Sequence, residues 1–261
     1  MRLGKLVAMA TVLIGAAGAR ASEGGEDARD EQVLARPTEL ALRDGAFGTL
    51  AMPARVGSTA AVAFGSGGYD AAGKAPLLDV GAEVRLWGPI ALRAGAGYSS
   101  RTNRMRPSFG ARAQWLRQES HGVDGAVSLS YKAEGFTEAE GEVEAVLSLG
   151  RTFGALSAGA NLAYGQDPEG NERDGEVRAF VGRRWERVSL GLDARARSAL
   201  GAQRGAAATA EPKYDLMAGP IAIALVGPVA FFVEAGPSAI KMPLAPTRFG
   251  LASFAGVGSA F

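Results

Sequence analysis

The chain holds one histidine, His121, and no cysteine, so imidazole, thiol and soft-metal chemistry rest on almost nothing. Glu119, Ser120 and Asp124 lie close to His121 in sequence. Acyl transfer needs such groups to converge in a supporting pocket, and neighbours strung along a turn do not supply one. His121 reads as an exposed turn residue. Glu142 and Glu144 are two apart and share one face of an extended chain. They suit a cation or an acid–base pair, and they suit ion pairs with nearby bases better. The segment QDPEGNERDGE brings Asp167, Glu169, Asn171, Glu172 and Asp174 together. These are hard oxygen ligands of the kind calcium takes, but they lack the EF-hand spacing and read as a solvated loop. There is no P-loop, dinucleotide fingerprint or metal motif. No catalytic residue, cofactor or metal is expected, and the chain does not read as an enzyme.

What remains is a set of charges at every second position. In LLDVGAEVRLWGPIALRAGAGY (Leu77 to Tyr98), Leu78, Val80, Ala82, Val84 and Leu86 alternate with Asp79, Gly81, Glu83 and Arg85. After Gly88-Pro89, Ile90, Leu92, Ala94, Ala96 and Tyr98 alternate with Arg93, Gly95 and Gly97. Period two means strands, with one apolar and one polar face. The pattern recurs over 56–66, 109–117, 124–134, 142–150, 156–164, 176–184, 188–197, 213–226, 229–235 and 249–261. That makes about twelve strands. Residues 213–226 are apolar on both faces near Ile221 to Val226, and Pro220 there implies a bulge or weakened ladder. The polar face collects Asp79, Glu83, Arg85, Arg93, Arg112, Lys132, Glu134, Glu142, Glu144, Arg178, Arg184, Asp193, Arg195, Arg197, Asp215 and Glu234, eight of each sign.

The N-terminus explains where such strands would work. Arg2 and Lys5 precede an apolar run from Leu6 to Ala17, and Ala19-Arg20-Ala21 forms a small-x-small site before Ser22. Residues 1–21 read as a secretory signal peptide; an uncleaved anchor is disfavoured because the run is shorter than the ~20 residues a spanning helix needs. Its removal takes away Arg2, Lys5 and Arg20 and no acid, which lowers the formal charge of +1 to −2. That balance gives no case for nucleic-acid binding. Residues 22–55 read as a flexible periplasmic segment, of which Pro37 to Arg55 is a lead-in, a short strand or a plug. No later stretch resembles a spanning helix, so an exported chain in a membrane must cross it as a closed barrel over 56–261, the other structure that satisfies every backbone group in lipid.

Connector lengths alternate. Short ones lie near 88, 120, 152, 186 and 227, and long ones follow 66, 98, 134, 165, 198 and 237. Tight periplasmic turns and longer external loops produce this asymmetry. Tyr98, Tyr131, Tyr164 and Tyr214 fall at the outer strand ends, and Trp87, Trp115, Phe153 and Trp185 at the periplasmic ends, as two aromatic girdles would. With its Ala-x-Ala site, alternating strands, Gly-Pro and Arg-Thr-Phe-Gly turns, tyrosine ends and terminal Phe261, the chain resembles the bacterial outer-membrane β-barrel, or porin-like, superfamily. The resemblance implies an all-β, transmembrane, antiparallel up-and-down barrel in the outer membrane, surrounded by outer-membrane lipid. It also implies recognition of the last strand by the barrel-assembly machinery through Phe261, with Leu251, Ser253, Ala255, Val257 and Ser259 at alternate positions before it.

Charges on the lipid face would cost ~2–4 kcal/mol each at mid-bilayer, so the sixteen belong inside. Two readings of them compete. They line an aqueous path, which makes the chain a porin-like passive channel for small polar solutes; or they pair across the lumen and close it, leaving a structural barrel whose loops at 99–108, 135–141, 166–175 and 199–211 contact partners. A rim enzyme is a remote third. Interior glycines at 81, 95, 97, 110, 159, 182 and 191 favour an open lumen.

Overall fold

The computed structural model describes residues 61–99, 104–137, 140–169, 172–201 and 212–260. The signal peptide, the segment 22–55, the start of the first strand at 56, most of the 199–211 loop and Phe261 lie outside the described residues. Twelve strands follow in chain order: β1 (Ala61–Asp70), β2 (Ala75–Trp87), β3 (Ile90–Ser99), β4 (Arg104–Leu116), β5 (Asp124–Ala133), β6 (Gly141–Phe153), β7 (Leu156–Gln166), β8 (Arg173–Trp185), β9 (Val188–Ala199), β10 (Tyr214–Val226), β11 (Val229–Lys241) and β12 (Arg248–Ala260). Each pairs antiparallel with its chain neighbours, and β1 closes on β12. The result is a closed barrel with no free edge, which alone removes the unpaired row of donors and acceptors that an open sheet exposes. No helix among the described residues is long and apolar enough to cross a membrane.

Burial alternates along the strands with the hydrophobic pattern reversed from that of a soluble protein. Leu129, Leu162, Val177, Leu192, Phe231 and Val233 are exposed on the outside, while Ser128, Asn161, Glu176, Arg178, Asp193 and Glu234 are buried within. An apolar exterior around a polar interior suits lipid outside, since a solvent-facing surface rarely carries so continuous an apolar belt.

Four of the connections are two-residue turns: Gly88-Pro89, Gly154-Ala155, Glu186-Arg187 and Gly227-Pro228. Gly88, Gly154 and Gly227 take φ of 48°, 58° and 60°, the left-handed region where glycine has no Cβ penalty. Glu186 occupies the same position at φ 46°, and pays that penalty.

The strands run further than the alternation implies. β1 continues through Gly67, Gly68, Tyr69 and Asp70, which had read as the start of a glycine loop. Its ladders to β2 and β12 both extend to Asp70, and the Asp70 carboxylate accepts from the Ala72 N–H at 2.9 Å and the Ser238 hydroxyl at 2.7 Å. β4 begins at Arg104, inside the expected basic loop; β8 begins at Arg173; and β11 runs past Pro237 to Lys241. The connector at 117–123 is a further correction. It is no tight turn but a single helical turn, α1 (Gln118–His121), closed by Gly122 at φ 75°.

Pro220 does interrupt its ladder. Pairing of β10 with β11 passes from Met217↔Ser238 to Ile221↔Glu234 with no partners between. Pro237 lies in the same gap, so two prolines without N–H donors fall together. Gly219 and Gly236 let the backbones close up there: a Cβ on Gly236 would lie 2.6 Å from the Gly219 Cα.

Candidate functional site

The interior has two unlike walls. From β2 to β9 it is ionic. Glu83 lies opposite Arg93 in the β2–β3 register; it accepts from Arg112 at 2.7 Å and lies 3.5 Å from Arg93. Lys132 donates to Glu144 at 2.5 Å, and Arg106 lies 4.0 Å from Glu142. Arg178 is bonded to Glu176 two positions away on β8. Arg195 reaches Asp215 at 2.8 Å, while Arg197 is bonded to Asp174 and lies 3.5 Å from Glu172.

These pairs share one geometry. Arg178–Glu176 stays on one strand. Arg93–Glu83, Lys132–Glu144, Arg195–Asp215 and Arg197–Asp174 join neighbouring strands, and Arg112–Glu83 and Arg106–Glu142 span two. Each runs along the wall, which leaves the space in front of it free.

The other wall is apolar. Met217, Ile221, Ile223 and Leu225 of β10, Phe232 of β11 and Phe254 of β12 form one buried cluster with Phe180 of β8, and Phe64 and Leu77 pack against it. Four of these rings occupy the space that a glycine leaves. A Cβ on Gly81 would fall 2.3 Å from the Phe64 ring, one on Gly182 2.5 Å from Phe180, one on Gly256 2.1 Å from Phe232, and one on Gly68 3.0 Å from Phe254. Interior glycines 81, 182 and 191 therefore do not open the lumen as expected, because Phe64 and Phe180 fill the room they make. The doubly apolar stretch Ile221–Val226 was the sequence signal for this wall.

A cavity of about 260 Å³ remains between the two walls. Arg93, Lys132, Arg178, Arg195 and Arg197 line it with Asp79, Glu144 and Glu176; Ser108, Ser128 and Ser130 add hydroxyls, and Phe64 and Val146 add apolar surface. Gly95 and Gly110 also line it, but a Cβ on Gly95 would fall 2.8 Å from the Val80 carbonyl oxygen and one on Gly110 2.4 Å from that of Leu129, so they serve close strand approach and do not make room.

The remaining expected interior residues are placed as follows. Asp193 and Glu234 are each 1% exposed. Asp193 Oδ1 accepts from the Ala194 N–H at 2.8 Å, and its Oδ2 has no hydrogen-bond partner. Arg184 sits near the β8 turn, where its N–H donates to the Ala155 carbonyl at 2.9 Å. Arg85, near the β2 turn, is exposed. Glu134 lies beyond the end of β5, with its N–H donating to the Glu140 carbonyl. Arg106 and Asp174 are interior residues that sequence reasoning missed, both in stretches that read as loop; Glu176 is buried in phase with Arg178, as the alternation over 176–184 places it.

Neither of the other candidates forms a reactive site. Ser120 Oγ lies 2.9 Å from His121 Nδ1, but both are exposed. The Asp124 carboxylate turns away from them, accepting from the Gln118 N–H at 2.9 Å and from Gln114 at 3.1 Å. In the acidic loop, Asp167 accepts from the Glu169 N–H, while Glu172 and Asp174 are taken up by Arg197. Among the described residues no group of three or more His, Asp or Glu side chains is placed to hold a metal.

The aromatics divide by end. All three tryptophans, Trp87, Trp115 and Trp185, are exposed near the tight-turn ends with Phe153. Arg151 stacks over Phe153 at 4.3 Å and Arg183 over Trp185 at 5.1 Å. All five tyrosines lie toward the opposite end: Tyr69, near the end of β1, with Tyr98, Tyr131, Tyr164 and Tyr214.

No protein-family model and no curated protein sequence matches the chain. Solved structures do. A NanC porin matches with a TM-score of 0.56 at 9% identity, over 76% of this chain and 100% of that one. A KdgM porin, solved in complex with disordered oligogalacturonate, matches with a TM-score of 0.53 at 8% identity, over 77% and 99%. The chain has the fold of these outer-membrane porins.

Proposed function

We propose that the chain is a passive channel for small polar solutes in a bacterial outer membrane. One observation carries the reading: the interior ion pairs run along the wall, and the cavity in front of them is left open. A lock across the axis would need pairs between opposite strands, and the eight pairs given above join positions no more than two strands apart. Fixed charges of both signs, each already compensated, let hydrated solutes pass without binding them tightly, which a diffusion pore requires. Five cations against three acids around the cavity support a preference for anions. The acidic sugar polymer held by the KdgM porin is of that charge class. The exposed apolar belt, with tryptophans at one end and tyrosines at the other, supports placement in lipid with the tight turns at one surface.

The apolar cluster favours a second reading, a closed barrel, because it packs part of the interior solid. Conductance of the purified protein in a planar bilayer separates the two. The channel gives stable unit steps in KCl, and a folded, heat-modifiable barrel that stays silent overturns it.

A further inference from the structure

Three strands reach the tight-turn end on the same short pattern, an arginine two positions before a ring. Arg85-Leu86-Trp87 closes β2, Arg151-Thr152-Phe153 closes β6 and Arg183-Arg184-Trp185 closes β8. On β2 a register shift between Arg85 and Trp87 breaks the alternation. On β6 and β8 it holds, and residues two apart share a face. That face is the outer one: Leu149, Arg151 and Phe153 are exposed in succession on β6, and Val181, Arg183 and Trp185 on β8. These two cations therefore face the membrane boundary and not the lumen. A lipid-facing arginine is costly at mid-bilayer and tolerated near the interface.

The interior arginines Arg93, Arg112, Arg178, Arg195 and Arg197 each meet a carboxylate. Arg151 and Arg183 meet rings, and neither has an acidic partner among the described residues. The guanidinium carbon of Arg151 lies 4.3 Å from the centroid of Phe153, and that of Arg183 5.1 Å from the centroid of Trp185. Stacking uses the flat face of a guanidinium and leaves its N–H edges for an anion. The end of β6 is also held in place. Gln118 of α1 accepts from the Thr152 N–H at 2.8 Å and donates to the Thr152 carbonyl at 2.8 Å.

Only β7 separates the two arginines. Leu156 pairs with Phe153 on one side and with Arg183 on the other, and Ala158 pairs with Arg151 and Val181. With strands about 4.8 Å apart, β6 and β8 are about 10 Å apart, a span that two arginine arms close on one phosphodiester. Next along β7 comes Ala160, opposite Leu149 and Ala179. The small side chains of Ala158 and Ala160 beside Leu149 and Val181 leave a shallow apolar track that leads away from the arginines into the belt. A free phosphate gains nothing from such a track. A phosphate attached to acyl chains lays one of them along it.

We infer that the outer face of β6–β8 at the tight-turn end binds an anionic phospholipid, its phosphate between Arg151 and Arg183 and an acyl chain along β7 over Ala158 and Ala160. This rests on placement of the apolar belt in lipid and is independent of whether the lumen conducts. A lipid so held fixes the depth of the barrel at that surface.

Trp185 is the reporter, in a barrel carrying Trp87→Phe and Trp115→Phe and folded into phosphatidylcholine vesicles. A minor fraction of the lipid is replaced by phosphatidylglycerol brominated on its acyl chains, or by phosphatidylcholine brominated in the same way, and quenching of Trp185 is measured. Phosphatidylglycerol occupies the site about fivefold more readily, the size of two screened surface ion pairs, and high salt removes most of the difference. Arg151→Gln with Arg183→Gln makes the two lipids equal. Heat-modifiable migration on gels establishes that each variant is folded. Equal quenching before the arginines are changed, or a preference that survives their replacement, overturns the inference. Quenching by neither lipid overturns the placement of this face in lipid, and the inference with it.

Discussion

Glu83→Met tests both the energetics of the ionic wall and its direction. Glu83 holds two guanidinium groups, Arg112 at 2.7 Å and Arg93 at 3.5 Å. Arg112 is 1% exposed, so losing its carboxylate leaves a desolvated cation without its closest counter-charge. Breaking such a pair from one side costs ~3–5 kcal/mol. Glu83 retains some solvent contact, with 14% of its side chain exposed, which places the cost near the lower limit, about 3 kcal/mol. Arg93 adds little, because it borders the open cavity and solvent screens it. Removing both charges differs in kind. Glu83→Met with Arg112→Met leaves no buried unpaired ion and returns most of the loss. The assay is urea unfolding of the barrel in phospholipid vesicles, read by the fluorescence of the three tryptophans, all of which are exposed. Unit conductance is the second readout. The Arg112–Glu83 contact spans only β3 along the wall, so breaking it does not widen the path and the conductance stays at the wild-type level. A several-fold rise in conductance on Glu83→Met would mean that the pair closes the lumen, and the argument for the channel would fail with it.

Three further outcomes follow from the same geometry. Phe180→Ala empties the space over Gly182 and Gly191 that its ring occupies. It lowers unfolding stability by about 3–5 kcal/mol in the same assay, the range for truncating a buried aromatic. Glu186→Gly relieves a left-handed residue at the β8–β9 turn and raises stability by ~1 kcal/mol, the order of the Cβ penalty there; a loss of stability would mean the Glu186 side chain matters more than its backbone. Leu192→Arg, on the exposed face near the middle of β9, costs ~2–4 kcal/mol in vesicles. The same change gives no comparable penalty if that face meets water, so a small effect would refute placement of the face in lipid.

Strand number and facing were legible because alternation is a local property. Each residue's parity is enough to say which way it points, and a closed barrel holds that parity over every strand. Strand ends were less legible. Gly67, Gly68 and Asp70 look like loop by composition, yet β2 and β12 pair with them from both sides, and two ladders outweigh a weak propensity. Arg106 and Asp174 were lost from the interior set for the same reason. Glu142 and Glu144 read as ion-pair carboxylates, and Lys132 and Arg106 meet them; most other partners were not legible, since they depend on register and on diagonal reach. The pairing of Arg197 with Asp174, or of Arg112 with Glu83 across an intervening strand, follows from neither sequence spacing nor charge. The apolar wall was half visible. Phe180 alternates in phase with Glu176 and Arg178, which places it inside, but nothing local says that Phe232 and Phe254 meet it there.

The position of that wall follows from the closure of the barrel. The β1–β12 seam joins Val62 to Ala260 and Asp70 to Ala252, the pairing most distant in sequence. Its loop-closure entropy must be offset before its own hydrogen bonds form. Ion pairs are poor agents for that step, because they demand register and geometry that exist only after closure. Apolar burial is non-directional and acts as soon as the surfaces approach. Phe64 on β1, Phe254 on β12 and Phe232 on β11 supply it at the seam, and β10 extends it with Ile221 and Ile223. Hairpins β2 to β9 pair locally through short connections and carry no such demand, so charge is tolerated on their inner face. The cavity is displaced toward β2–β9 as a result. One wall of the cavity is then the material that closes the barrel, which is why Phe64 serves both.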